Sequence, residues 1–246
     1  MTDAYPWLIS LGAIASLLWL GFVEGGSTPK RPSLSANVRM DTGLVSLASG
    51  FVGARLGFVL PHLHYFSMHT NEIMKFWDGG LSWVGGGVGA ILGLGIFALI
   101  KRHSFWQLFD ILALPAVILA FSAWFGCLLD GCAYGKPADF GTLTPLSPDN
   151  LGEQLRRWPV QSCGAILSLG SWFVLNGLRF KNLHLGILGT LSLSMISGTN
   201  LILSFFRGDL VPILNGLRSD GIASAVLLGF GLIAFTLRFK KKDQLE

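Results

Sequence analysis

Blocks of about twenty mostly apolar residues recur along the chain, and no other feature limits its fold as strongly. A bilayer core needs roughly 17–25 such residues per helix. The blocks run from about Pro6 to Val23, Thr42 to Leu60, Leu81 to Ile100, Phe105 to Leu129, Pro159 to Leu178, Leu185 to Phe206 and Gly221 to Leu237. They predict an all-α, polytopic integral membrane protein with about seven transmembrane helices. The fifth block is the weakest, because Ser, Gly and Asn dilute it. Only 13% of the 246 residues are charged and 51% are hydrophobic, with a mean hydropathy of +0.58. A soluble domain carries about 25% charge to keep its surface wet. The 32 glycines suit helices that approach one another closely in lipid.

Lysine and arginine set the expected orientation, since short cytoplasmic loops carry the excess. Lys30, Arg31, Arg39, Lys101, Arg102, Arg179, Lys181, Arg238, Lys240, Lys241 and Lys242 fall on one side. They outnumber Lys75, Lys136, Arg156, Arg157, Arg207 and Arg218 on the other. The N-terminus is therefore expected outside and the C-terminus in the cytoplasm. The formal charge of +4 is a loop bias and not a nucleic-acid signal. No cleavable signal peptide is expected, because the first basic residue, Lys30, lies beyond the first apolar block. With no internal repeat and no separate soluble segment, residues 1–246 read as one transmembrane domain.

Chemistry-bearing residues are few. Arg55, in GFVGARLGFVL, lies inside the second block. An unpaired charge at mid-membrane costs about 2.5–3.5 kcal/mol, so it must face protein or water. Its planar fork suits a lipid phosphate, and it equally suits a structural bridge to Asp110 or Asp78. In the segment Asp78 to Gly95, Gly85, Gly89 and Gly93 recur every four residues, which favours helix packing; the second reading is that the leading glycines let backbone N–H groups approach an anionic headgroup at a helix start. The segment from His62 to Gly80 holds three histidines and the run Ile73, Phe76, Trp77. It fits an interfacial helix or an ordinary connection equally well. GCLLDGCAYGKP, Gly126 to Pro137, makes a tight exit from the fourth block. Its Cys127 and Cys132, like Cys163, fit buried free thiols, and a disulfide between the first two is open. Asp110, Asp130, Asn200 and Arg207 are the remaining polar groups near membrane depth. Neither a zinc pattern nor a cofactor motif is present.

Five stretches in this order resemble the prolipoprotein diacylglyceryl transferase family. They are GFVGARLGFVL, FWDGGLSWVGGGVGAILG, KRHSFWQLFDILALPAVILAFSAWFGCLLDGCAYGKP, WPVQ and LSFFRGD, spanning about Gly50 to Arg207. The first forty residues match little. The resemblance implies transfer of diacylglyceryl from phosphatidylglycerol to a lipobox cysteine thiol, at the outer face of a bacterial cytoplasmic membrane. It implies as partners phosphatidylglycerol or another anionic phospholipid, prolipoprotein signal peptides and the membrane. Arg55, Gly135, Gln161 and Arg207 fall on positions of the family's motifs. With Gly79, Gly80, Gly85, Gly86 and Asp130 they are the candidate phospholipid-binding residues. At other motif positions the family's histidine falls on Val84, its arginines on Trp124 and Asn200, its asparagine on Cys127 and its glutamates on Cys132 and Ser204. Those departures keep a second class open: a non-catalytic relative that binds lipid or serves a membrane complex. A channel or transporter fits less well, since intramembrane charge is too scarce for an ion path.

Overall fold

The structure is a computed structural model describing residues 4–22, 33–75, 79–149, 152–214 and 216–243. It is all-α in its membrane part. Helices α1 (Ala4–Phe22), α2 (Ala36–Val59), α4 (Trp83–Lys101), α6 (Ala113–Asp130), α7 (Val160–Leu178), α8 (Ile187–Ser204) and α9 (Ser219–Asp243) carry it. Short helices α3 (Leu63–Met68) and α5 (Phe105–Ile111) lie between them. Six helices among the described residues are long and apolar enough to cross a membrane, α7 not being one of them. α7 has the length, 19 residues or about 28 Å, but its serines, glycines and asparagine lower its hydropathy. It packs between α6 and α8 and exposes Ile166, Leu169 and Phe173.

Two blocks differ from expectation for local reasons. α2 starts six residues before Thr42, where the Ser35 hydroxyl accepts the Val38 N–H and caps the first turn. The fourth block breaks at Leu112 into α5 and α6. Pro115 has no N–H to offer the Ile111 carbonyl, so the ladder cannot run through. α6 ends at Gly131, whose φ of 74° gives the left-handed cap.

α2 and α4 form the closest pair. A Cβ on Gly57 would lie 2.7 Å from Gly85 Cα, and one on Gly89 2.8 Å from Gly53 Cα. Backbone therefore rests on backbone, as the four-residue glycine spacing predicts. The other pairing runs α1 on α6, α6 on α7 and α8 on α9. Its core holds Ala113, Leu114, Val117, Leu175 and Leu188, with Trp19 and Trp172 against it.

Buried charges serve as caps on distant helices. Arg39 donates to the carbonyls of Leu20 at 2.7 Å and Gly21 at 3.2 Å, finishing α1. Asp110 accepts the N–H groups of Gly186 and Gly189, both at 2.8 Å, starting α8. Each satisfies orphan backbone groups that a helix end otherwise leaves bare in lipid.

Beyond the end of α6 the chain forms a small polar head. Strands β1 (Leu146–Pro148) and β2 (Gln154–Arg156) pair antiparallel. The buried Arg157–Asp149 ion pair, 3.1 Å, lies beneath them. A second hairpin, β3 (Ile213–Leu214) with β4 (Leu217–Arg218), links α8 to α9.

Candidate functional site

The candidate residues collect into two groups. The first surrounds Arg55, four residues before the C-terminal end of α2 and inside the apolar stretch Ala36–Met68. Its Nε donates to Ile73 O at 2.7 Å and its Nη2 to Glu72 O at 2.6 Å. Its Nη1 donates to Gly79 O at 2.7 Å and Gly80 O at 3.1 Å. The rings of Phe58 and Phe66 lie 5.9 and 5.6 Å from the guanidinium carbon. Asp110 is engaged at the start of α8, so the expected bridge to it does not form. Asp78, the other expected partner, lies outside the described residues, as do Phe76 and Trp77 of the supposed amphipathic run.

Gly79 and Gly80 have φ of 89° and 74° and turn their carbonyls onto the guanidinium. A Cβ on Gly80 would stand 2.9 Å from Arg55 Nη1. These glycines cradle a cation, where an anion at their N–H groups was one expectation. Gly85 and Gly86 serve differently. Their N–H groups go to Ser82 Oγ and Ser82 O, and their faces pack on α2. Arg55 also borders a cleft of about 190 Å³, lined by Phe58, Tyr65, Phe66, Glu72, Lys75, Gly79 and Gly80. The Glu72 carboxylate accepts the Tyr65 hydroxyl at 2.8 Å and stands 3.8 Å from Lys75 Nζ.

The second group lies at the exit of α6. Asp130 accepts Ala4 N–H at 3.1 Å and Tyr5 N–H at 2.7 Å, capping α1. Gly126 lets Tyr5 come close, since a Cβ there would meet Tyr5 Cα at 3.2 Å. Cys127 and Cys132 are joined by a disulfide, and Cys163 is free and exposed. Gln161, 2% exposed, donates from Nε2 to Cys132 O at 3.0 Å. Gly135 bridges to Arg207 through the backbone, and Trp158 leaves it no room for a side chain. Lys136 N–H to Phe206 O and Gly208 N–H to Tyr134 O, both 2.8 Å, complete that seam.

Arg207 is held in a ring of charges. It pairs with Asp209 and, at 3.2 Å, with Asp220; Arg218 pairs with the same two carboxylates at 3.0 and 3.2 Å. Burial alone would push the Asp209 carboxyl up, but the Arg207 hydrogen bond and both guanidiniums hold it below its usual value. Burial works against the Arg207 charge as well, and its two carboxylate partners more than reverse that, raising its pKa. Two positions that depart from the family motifs are packed rather than polar. Trp124 is 6% exposed with its indole against Gly164, and the Ser204 hydroxyl donates back to Leu201 O.

The model of the family described as prolipoprotein diacylglyceryl transferase matches residues 3–237. The chain belongs to this family. The match reaches into the first forty residues, which carried little visible resemblance. The phosphatidylglycerol–prolipoprotein diacylglyceryl transferase of Geobacillus kaustophilus is 31% identical over 245 residues, covering 96% of this chain and 88% of its own. That of Bacillus licheniformis is 30% identical over 249 residues, covering 97% and 89%. That of Symbiobacterium thermophilum is 27% identical over 243 residues, covering 94% and 87%. Within this diacylglyceryl transferase chain, the structure brings Arg55, Gly79 and Gly80 together. It separately gathers Asp130, Gly135, Gln161 and Arg207.

Sequence reasoning missed Tyr5, Glu72, Lys75 and the ring partners Asp209, Arg218 and Asp220. One signal for the ring was present: Arg207-Gly-Asp209 and Arg218-Ser-Asp220 repeat the same Arg-x-Asp spacing.

Proposed function

We propose that this chain transfers the diacylglyceryl group of phosphatidylglycerol to the lipobox cysteine of a prolipoprotein. The site is the outer face of the bacterial cytoplasmic membrane, with the N-terminus outside and residues 1–246 acting as one domain. The observation that carries the reading is the cleft beside Arg55. Its guanidinium is held by backbone carbonyls, which carry no formal charge, and Lys75 stands on the same wall. A phosphate in that cleft would meet the two cations Arg55 and Lys75, which outnumber the single carboxylate of Glu72 beside them.

In the reaction, the thiol sulfur forms a thioether to the glyceryl carbon as that carbon's bond to phosphate oxygen breaks. Glycerol phosphate leaves with the electron pair, and the thiol proton passes to water or to the leaving phosphate. Arg55 and Lys75 would steady the departing charge. Asp130, Gly135, Gln161 and Arg207 would shape the outer wall, with Gly85 and Gly86 holding α4 against α2.

A second reading, a lipid-binding or accessory protein without transfer, is favoured by the Arg207 ring, which spends that charge on two carboxylates. One experiment separates the two. The purified protein is incubated with labelled phosphatidylglycerol and a lipobox peptide, beside an active relative, and peptide mass is followed. A diacylglyceryl adduct on the peptide cysteine, abolished by Arg55→Gln, supports transfer. Retained phosphatidylglycerol with no adduct supports the binding reading and sinks the enzyme.

A further inference from the structure

The cleft beside Arg55 is lined by one carboxylate, for which binding a phosphate has no use. Glu72 ends the short helical turn Thr70–Glu72 that follows α3. Its backbone carbonyl accepts from Arg55 Nη2 at 2.6 Å, and its side chain lines the cleft. Oε2 accepts the Tyr65 hydroxyl at 2.8 Å, while Oε1 stands 3.8 Å from Lys75 Nζ, beyond hydrogen-bond reach. The Tyr65 ring is stacked on His69 at 4.4 Å. The side chains of Glu72 and Lys75 are 33% and 38% exposed, so a ligand in the cleft can reach both.

Hydrogen-bonding capacity decides what this wall can hold. Arg55 gives four bonds to carbonyls and keeps one N–H of Nη2 without a partner among the described residues. Lys75 adds further donors. A carboxylate has about four acceptor sites, and Tyr65 fills one of those on Glu72. A phosphate held by Arg55 and Lys75 therefore leaves its ester substituent beside acceptors of Glu72 that are still open. Size limits that substituent: drug-sized ligands take clefts of about 300–1,000 Å³. This one, at about 190 Å³, suits a headgroup without its acyl chains. A second anionic group would be repelled by Glu72, an alkyl group would leave it bare, and hydroxyls would donate to it. A purely structural part for Glu72 explains little, because an exposed pair such as Glu72–Lys75 contributes little to stability.

We infer that Glu72, positioned by Tyr65, determines headgroup specificity in this cleft. Its carboxylate accepts the hydroxyls of a glycerol esterified to the phosphate that Arg55 and Lys75 hold. This rests on the reading that the cleft takes phosphate, and it stands whether or not transfer follows. Phosphatidylglycerol and free glycerol phosphate both carry that chemistry.

The test is the thermal unfolding midpoint of the detergent-purified chain, titrated with short-chain phosphatidylglycerol, phosphatidylpropanol or glycerol phosphate. Phosphatidylpropanol keeps the charged diester and lacks the hydroxyls. The wild type is expected to bind phosphatidylglycerol roughly tenfold more tightly than phosphatidylpropanol. In Glu72→Gln that preference should fall to roughly threefold or less, with phosphatidylpropanol bound no more weakly, since the carboxylate no longer repels its phosphate. Tyr65→Phe leaves the carboxylate and frees it to turn; a reduced preference there supports the assignment even where the glutamine variant does not fold. A glycerol phosphate response that matches phosphatidylglycerol and depends equally on Glu72 supports the hydroxyl contact and assigns the free polyol phosphate as its source. No preference in the wild type, an unchanged preference in both variants, or an equal loss of both lipids in Glu72→Gln would overturn the inference. Failure of the phosphate reading looks different. The wild type then responds to none of the three, or Arg55→Gln leaves every response unchanged, and both ideas fall together.

Discussion

Arg55 shows how a single membrane charge can organise a loop. Its carbonyl bonds tie Glu72, Ile73, Gly79 and Gly80 back onto α2, and each is worth about 1.5–3 kcal/mol as a hydrogen bond to a charged group. Arg55→Gln is expected to free that loop and lower any transferase activity by roughly a hundredfold. Limited proteolysis between Thr70 and Gly80, measured beside peptide lipidation, checks both effects. The Arg207 ring answers to pH. Asp209 titrates below its usual value of 3.8 in the folded chain. The stabilisation it brings is therefore complete above that value and lost as the pH falls through its lower folded pKa. Unfolding midpoints should hold from pH 7 to about 4.5 and drop below about 3.8, and Asp209→Asn should remove that component. At pH 7 the same change should cost about 3 kcal/mol, because it strands buried guanidinium charge. A flat profile in the wild type would sink this account.

The α2–α4 pair depends on absent side chains. Gly53→Leu would force carbon into the backbone of Gly85 and Gly89. We expect a loss of about 1–3 kcal/mol or more, read as a lower unfolding midpoint, whereas Gly87→Leu, facing open space, should be nearly neutral. The tie from α6 to α1 is smaller. Asp130→Ala should cost about 0.5–2 kcal/mol, the usual worth of a helix cap, and speed hydrogen exchange at Tyr5. The elements themselves were largely legible, since each spanning block is an apolar run of the right length. The break at Leu112 could be read from Pro115 alone, but no local pattern announced that Asp110 there would start α8.

Across the whole molecule, the Cys127–Cys132 bridge closes the α6 exit beside Gln161, Gly135 and the head. By loop entropy it contributes about 2 kcal/mol for so short a loop. Reduction, or Cys127→Ser with Cys132→Ser, should lower the unfolding midpoint without loss of helix signal by circular dichroism. If the variant retains full wild-type stability, the bridge does not brace the exit.

Solvent alone made part of this protein predictable. Lipid cannot satisfy backbone groups, so length and apolarity determine which segments become helices, and glycine spacing determines which faces touch. The sequence therefore carried the fold class, the α2–α4 seam and, through its motifs, the family. What each charge does was settled only in three dimensions. Arg55 was legible as a charge that must find partners, but not as one answered by carbonyls from a loop 17–25 residues later. Asp110 and Asp130 serve helices 76 and 126 residues away along the chain, and Arg207 is neutralised by Asp209 and Asp220. A charge pairs with whatever the packing brings within about 3 Å, and that neighbour has no fixed distance in sequence.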